Sequence, residues 1–150
     1  MHESTRYVED TIKALFKAQK LAVLSTQNSG QPYASLVAFV ADEDLTHLYF
    51  ATARTTRKYH NLETDPRVAM LMDSRSNLDS DLHEAVAVTA IGTASEIRGQ
   101  DKSHGIRLYL SKHPYLQDFV RAESCALIRI VVKTYYLVSR FQQVMELHIS

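Results

Sequence analysis

The stretch Leu48-Tyr49-Phe50-Ala51-Thr52-Ala53-Arg54-Thr55-Thr56-Arg57-Lys58 carries an apolar run straight into hydroxyl residues and then into a segment of helical character. A strand that stops this way and reopens as a helix leaves the first backbone N–H groups of the helix without partners and turns its positive dipole end toward the turn. Arg57 and Lys58 add two cations at that point, and Thr52 and Thr56 add hydroxyls. The turn therefore reads as a phosphate seat. The plainer alternative is that Thr55 or Thr56 is an ordinary helix cap with Arg57 and Lys58 in solvent.

Working outward, residues 57–64 form a short helix that Asp65-Pro66 stops, because proline cannot continue a helix and biases the residue before it away from helical geometry. Residues 67–72 then make a strand. On the other side, residues 20–26 and 33–40 are two strands joined by the turn Asn28-Ser29-Gly30, and Asp42-Glu43-Asp44 turns the chain into the strand that ends at Ala51. Val8, Ile12, Leu15, Phe16 and Gln19 keep helical spacing, with Ser4 or Thr5 as the cap.

Beyond the fourth strand, residues 73–84 are polar and predict a long loop, followed by an alternating strand over 85–97. Gly92 lies inside that strand, where glycine marks a bulge or tight bend and suits a closed or nearly closed barrel. Residues 101–120 have helical periodicity interrupted at His113-Pro114, and strands follow at 126–132, 135–138 and 144–149. Short turns between sequential strands favour antiparallel order. The expected class is α+β, mainly β: a barrel with flanking helices.

Composition narrows the partners. A chain of 150 residues, 45% hydrophobic, suits one domain over 1–150. Seventeen basic residues balance seventeen acidic ones, so a cationic site has to be local, and a small anion is a better partner than nucleic acid. The single Cys125 allows no internal disulfide, no leader-like segment opens the chain, and no apolar run approaches the ~20 residues of a membrane span. These features predict a soluble, cytoplasmic protein with no membrane contact. His2, His47, His60, His83, His104, His113 and His148 lack metal-ligand spacing, so no metal is expected. With four glycines and no Gly-x-Ser-x-Gly, Walker-type or Gly-x-Gly-x-x-Gly motif, hydrolase, P-loop and Rossmann readings fall.

The segments Gln31-Pro32-Tyr33-Ala34-Ser35-Leu36-Val37, Tyr49-Phe50-Ala51-Thr52 and Thr56-Arg57-Lys58-x-x-x-Leu62-x-x-Asp65-Pro66 together resemble the pyridoxamine 5′-phosphate oxidase-like FMN-binding split barrels. The family's stretch, aromatic-Phe-Thr-x-x-x-Ser-Arg-Lys-x-x-x-Leu-x-x-Asn-Pro, fits without a gap, and the match covers roughly residues 20–97. The resemblance implies a six-stranded antiparallel split barrel, a homodimer, and FMN in clefts between the subunits. It assigns Thr52, Thr56, Arg57 and Lys58 to the phosphate and Ser35, Leu36 and Val37 to the wall along the ring. It also makes Arg75 and Asn77, after the fourth strand, candidates to reach the cofactor. Tyr135, Tyr136 and Phe141 are further aromatic candidates, although aromatics in terminal strands are more often core.

The chain departs from the name-giving oxidase where that enzyme reads its substrate. Ser35 and Val40 stand where the Arg and Lys of its Arg-x-Val-Leu-Leu-Lys strand would be, and the chain has no Trp. Vitamin B6 oxidation is therefore disfavoured. Short relatives include flavin reductases, haem-degrading proteins, deazaflavin-dependent reductases and flavoproteins of unknown substrate. The expectation is an FMN oxidoreductase, with a non-enzymatic flavin- or haem-binding sensor, carrier or store as the alternative. A remoter alternative, an OB-like barrel on oligonucleotides, is opposed by the zero net charge.

Overall fold

The computed structural model describes residues 3–139 and 143–150. Helix α1 (Glu3–Ala18) buries Val8, Ile12, Leu15 and Phe16 on one face. Strands β1 (Leu21–Asn28) and β2 (Gln31–Ala41) follow, joined by a two-residue turn. Ser29 and Gly30 both have positive φ, 52° and 86°, which matches the right-handed twist of a hairpin. Then come β3 (His47–Ala53), α2 (Arg57–Thr64) and β4 (Arg67–Asp73). Asp65 leaves α2 with extended backbone (φ −146°) while its N–H still bonds the Asn61 carbonyl, so the helix stops where Asp65-Pro66 predicts.

The predicted loop 73–84 contains one short helix, α3 (Asp81–Glu84). Its Asp81 carboxylate accepts the amides of Ser76 and Asn77, which folds this polar segment on itself. After β5 (Ala87–Glu96), the predicted helical region 101–120 divides into α4 (Gly99–Lys112), a single 3-10 turn at Pro114–Leu116, and α5 (Gln117–Arg121). Strands β6 (Cys125–Ser139) and β7 (Gln143–His148) complete the described chain.

All strand pairings are antiparallel, in the order β3-β2-β1-β4-β5-β6-β7, and β3 also pairs with β6. Six strands thus form a closed barrel with the seventh outside. The separate strands predicted at 126–132 and 135–138 are one strand. Lys133 is an extra residue, since Ile91 pairs with Thr134 while Gly92 pairs with Val132. At this bulge β6 changes its other neighbour, from β3 along 125–131 to β7 along 134–139.

Burial explains the apolar run that opened the sequence. Leu48 and Phe50 of β3, with Ile128 and Ile130 of β6, face the barrel interior, where Phe16 of α1 packs edge-on against Phe39 at 5.4 Å. Tyr49 and Ala51 face outward but lie beneath Ile106 and Tyr109 of α4. A strand covered on both faces reads as continuous apolar sequence rather than as alternation. Tyr135 is fully buried in the interior and its hydroxyl donates to the Leu45 carbonyl at 2.7 Å, so it is a core residue.

Gly92 is where the bulge brings two backbones together. A Cβ placed there would stand 2.3 Å from the Val131 carbonyl oxygen, a backbone atom with little room to move. We expect Gly92→Ala to destabilise the fold by about 1–3 kcal/mol or more, as overpacking does, read as a lower urea midpoint at unchanged slope.

Candidate functional site

The barrel opens between β2 and β3. The two strands pair only through Phe39, Val40 and Ala41, opposite Phe50, Tyr49 and Leu48. From Ala38 back to Gln31, β2 keeps β1 on one side and has no strand on the other among the described residues. In an antiparallel strand both main-chain groups of a residue point to the same side and successive residues alternate. Phe39 bonds toward β1 through the Lys20 carbonyl (3.3 Å), so Leu36 and Ala34 present their N–H and C=O groups to the open side.

The far prong of this fork is β3 running into the turn at residues 54–56 and into α2. Between the prongs lies a cleft of about 900 Å³ lined by Gln31, Tyr33, Arg54, Thr56, Arg57 and His60, among others. Thr56 caps α2, its hydroxyl accepting the Tyr59 amide at 3.3 Å and donating to the Ala53 carbonyl at 2.9 Å. The amides of Arg57 and Lys58, first in the helix, have no intrahelical acceptor. Asn61, buried, anchors the helix by donating to the Thr26 hydroxyl at 3.0 Å.

The cations of this turn divide into two kinds. Arg54 is committed: it pairs with Glu96 at 2.5 Å and donates to the Glu123 carbonyl at 2.6 Å. Burial works to raise the Glu96 carboxyl, but hydrogen bonds from Arg54 and Tyr59 outweigh it and hold the group below the usual range. Arg57 and Lys58 take part in none of the ion pairs found among the described residues. The Arg57 guanidinium lies 5.6 Å from the centroid of the exposed Tyr33 ring, and burial alone pushes the half-buried Lys58 ammonium below its ordinary pKa.

The expected site residues separate into layers. Thr56 and Arg57 line the cleft, and Lys58 follows on the same helical turn. Thr52 is buried beneath them, its hydroxyl 2.8 Å from that of Thr56, so it braces the turn from below. On the opposite prong, Leu36 is exposed, Val37 points into the core, and the Ser35 hydroxyl is buried with no protein partner. Arg75 and Asn77 are not brought to this cleft within one chain. Arg75 is clasped by Asp73 at 2.8 and 2.9 Å, at the end of β4 opposite its start beside the hairpin tip. Tyr136 is half-buried in β6, and Phe141 lies outside the described residues.

Three contributors escaped the sequence reading. Tyr33 and His60 line the cleft because the hairpin tip folds over α2, and Tyr109 of α4 reaches Ala38 at the fork from 71 residues away. For Tyr33 the motif around residues 31–37 was a signal in hand; for Tyr109 no local pattern marks the contact.

Residues 8–139 match the family model described as pyridoxamine 5′-phosphate oxidase. No curated protein matches the chain. Among solved structures, General Stress Protein 26 from Bacillus anthracis is 22% identical, with 95% of this chain and 99% of that one covered and a TM-score of 0.73. A FAD-binding protein from Mesorhizobium loti is 19% identical, with 83% and 89% covered and a TM-score of 0.64. A heme binding protein from Mycobacterium smegmatis is 17% identical, with 99% of this chain covered and a TM-score of 0.82, and the chain spans only 59% of that protein's length. At these identities the likeness is one of fold. The family model spans nearly the whole chain, from within α1 to the end of β6, and the chain belongs to the pyridoxamine 5′-phosphate oxidase family.

Proposed function

We propose that the protein is a cytoplasmic FMN-binding flavoprotein and an oxidoreductase that acts through the flavin. The observation that carries this is the pair of cations, Arg57 and Lys58, without carboxylate partners at the start of α2 where the fork opens. A phosphate monoester brings close to two negative charges and several acceptor oxygens, which suits two unpaired cations and two free helix amides. The open edge of β2 suits the ring: Leu36 and Ala34 offer main-chain groups, and a ligand along this strand would give the orphaned Ser35 hydroxyl a partner. Bound FMN would supply electron transfer, while these residues bind and orient it.

A homodimer belongs to the same proposal. On the outer face of the sheet Leu36, Val23 and Leu71 sit directly opposite one another across β2, β1 and β4, and Leu36 is 64% exposed with Leu21 nearby at 51%. An apolar row beside an open strand edge is the kind of surface a two-fold partner covers. The partner is also the route by which Arg75 and Asn77 would come near a flavin. The fold likeness to a protein named for heme leaves a haem-binding sensor, carrier or store as the alternative.

Purified protein is expected to be yellow or to take up FMN at micromolar concentration, with FMN preferred to riboflavin. No flavin quenching on titration, or hemin uptake with none of FMN, overturns the assignment. Flavin that binds but is neither reduced by NADH or NADPH nor reoxidised by an added acceptor faster than free FMN removes the oxidoreductase reading and leaves a carrier or sensor.

Arg57→Ala and Lys58→Ala should each raise the FMN dissociation constant about tenfold to a hundredfold, the worth of one charge-assisted hydrogen bond, and leave riboflavin binding almost unchanged. Equal losses for both ligands would move these residues away from the phosphate. Dilution through the dimer dissociation constant, followed by sedimentation and flavin fluorescence, should release flavin in step with dissociation. A monomer that keeps its flavin would exclude the shared cleft.

A further inference from the structure

We propose that Tyr109 is the positioning residue that sets where β2 and β3 part, its hydroxyl taking the place of the next rung of the ladder between them. The role in ligand binding rests on the flavin reading above; the structural role does not.

The register locates the missing rung. Since Phe39 bonds toward β1, Val40 and Ala38 are the residues that bond toward β3. Val40 is opposite Tyr49, so the next hydrogen-bonded pair would be Ala38 with Ala51, and the ladder stops before it. Instead the Tyr109 hydroxyl donates to the Ala38 carbonyl at 3.2 Å, and the phenol oxygen faces the Ala51 backbone N–H. A hydrogen-bonded pair exchanges two direct bonds, and the interposed hydroxyl stands in the place of one of them, from the Ala51 N–H to the Ala38 carbonyl. The strands must therefore stand apart, and everything from Ala38 toward Gln31 is left open.

The rest of α4 fits this role. Gly105, one turn before Tyr109, lets the helix lie against the barrel wall: a Cβ there would come 2.7 Å from Leu127 Cδ2. One turn after it, His113 bonds the Phe39 carbonyl at 2.7 Å through Nε2, so two successive carbonyls of β2 are bonded by side chains of this one helical face. Tyr109 is 1% exposed, so water cannot take over its bonds. Burial pushes its phenol up to about 12.

Tyr109→Phe keeps the ring and removes only the hydroxyl. Amide hydrogen exchange by NMR should then show Ala51 exchanging at least about tenfold faster, with Ala90 in the β4–β5–β6 wall unchanged. FMN and riboflavin dissociation constants should rise together by about tenfold, because the fork rather than the phosphate seat has changed. Unchanged Ala51 exchange in a folded variant would make Tyr109 a packing residue and overturn the proposal. Faster exchange with unaltered flavin affinity would overturn its role in the cleft. In the wild-type protein a slowly exchanging Tyr109 hydroxyl proton close to the Ala51 amide is expected, and its absence overturns the bond even if the variant does not fold. Should the wild-type chain bind neither flavin, the functional reading fails while the exchange data still decide the fate of the rung.

Discussion

The commitment of β3 to β6 is the constraint from which the rest follows. A strand has two edges, and β3 gives one of them to β6 along all seven of its residues, from His47 to Ala53. Strand β2 likewise gives one edge to β1 from Gln31 to Ala38. On the edges that remain, the two share a ladder only three residues long. Beyond those three residues the edge of β2 is left open, and exposed backbone is what a planar, hydrogen-bonding ligand edge can use.

Electrostatics gives the opening its sign. The chain is neutral overall, and Arg54, Arg67, Arg75, Arg98 and Arg129 all have carboxylate partners. Neutrality of the whole therefore coexists with a local surplus at Arg57 and Lys58. The Arg54–Glu96 pair sits just beneath that surplus and fixes the turn without adding net charge to it. The structure thus separates cations that hold backbone from cations available to a ligand, a division that residue counts do not contain.

Much of this was legible in the sequence. The hairpin, the short helix stopped by Asp65-Pro66 and the bulge at Gly92 are local consequences of turn chemistry, capping and steric demand, and they stand as read, while the strand read as ending at Ala51 runs on to Ala53. Residues 126–132 and 135–138 read as two strands, whereas in the barrel the bulge absorbs Lys133 and the pairing continues. α3 was missed because its four residues carry no apolar face. Within the site, Thr52 and Val37 were named by motif, but whether a side chain lines a cleft or supports it depends on which face of a barrel it occupies. Contacts such as Tyr109 to Ala38 join residues far apart in sequence and depend on how closely a helix approaches a sheet.

The handover at Lys133 also divides the molecule mechanically. Strand β7 hangs on β6 beyond the bulge and takes no part in the ring of six, whose closure runs through β3. Peeling β7 away breaks one ladder and leaves the barrel's circuit of hydrogen bonds intact. What holds β7 beyond that ladder is packing: Leu147 is buried in the interior cluster together with Val8, Ile12 and Phe16 of α1, so strand and helix close the same end of the barrel.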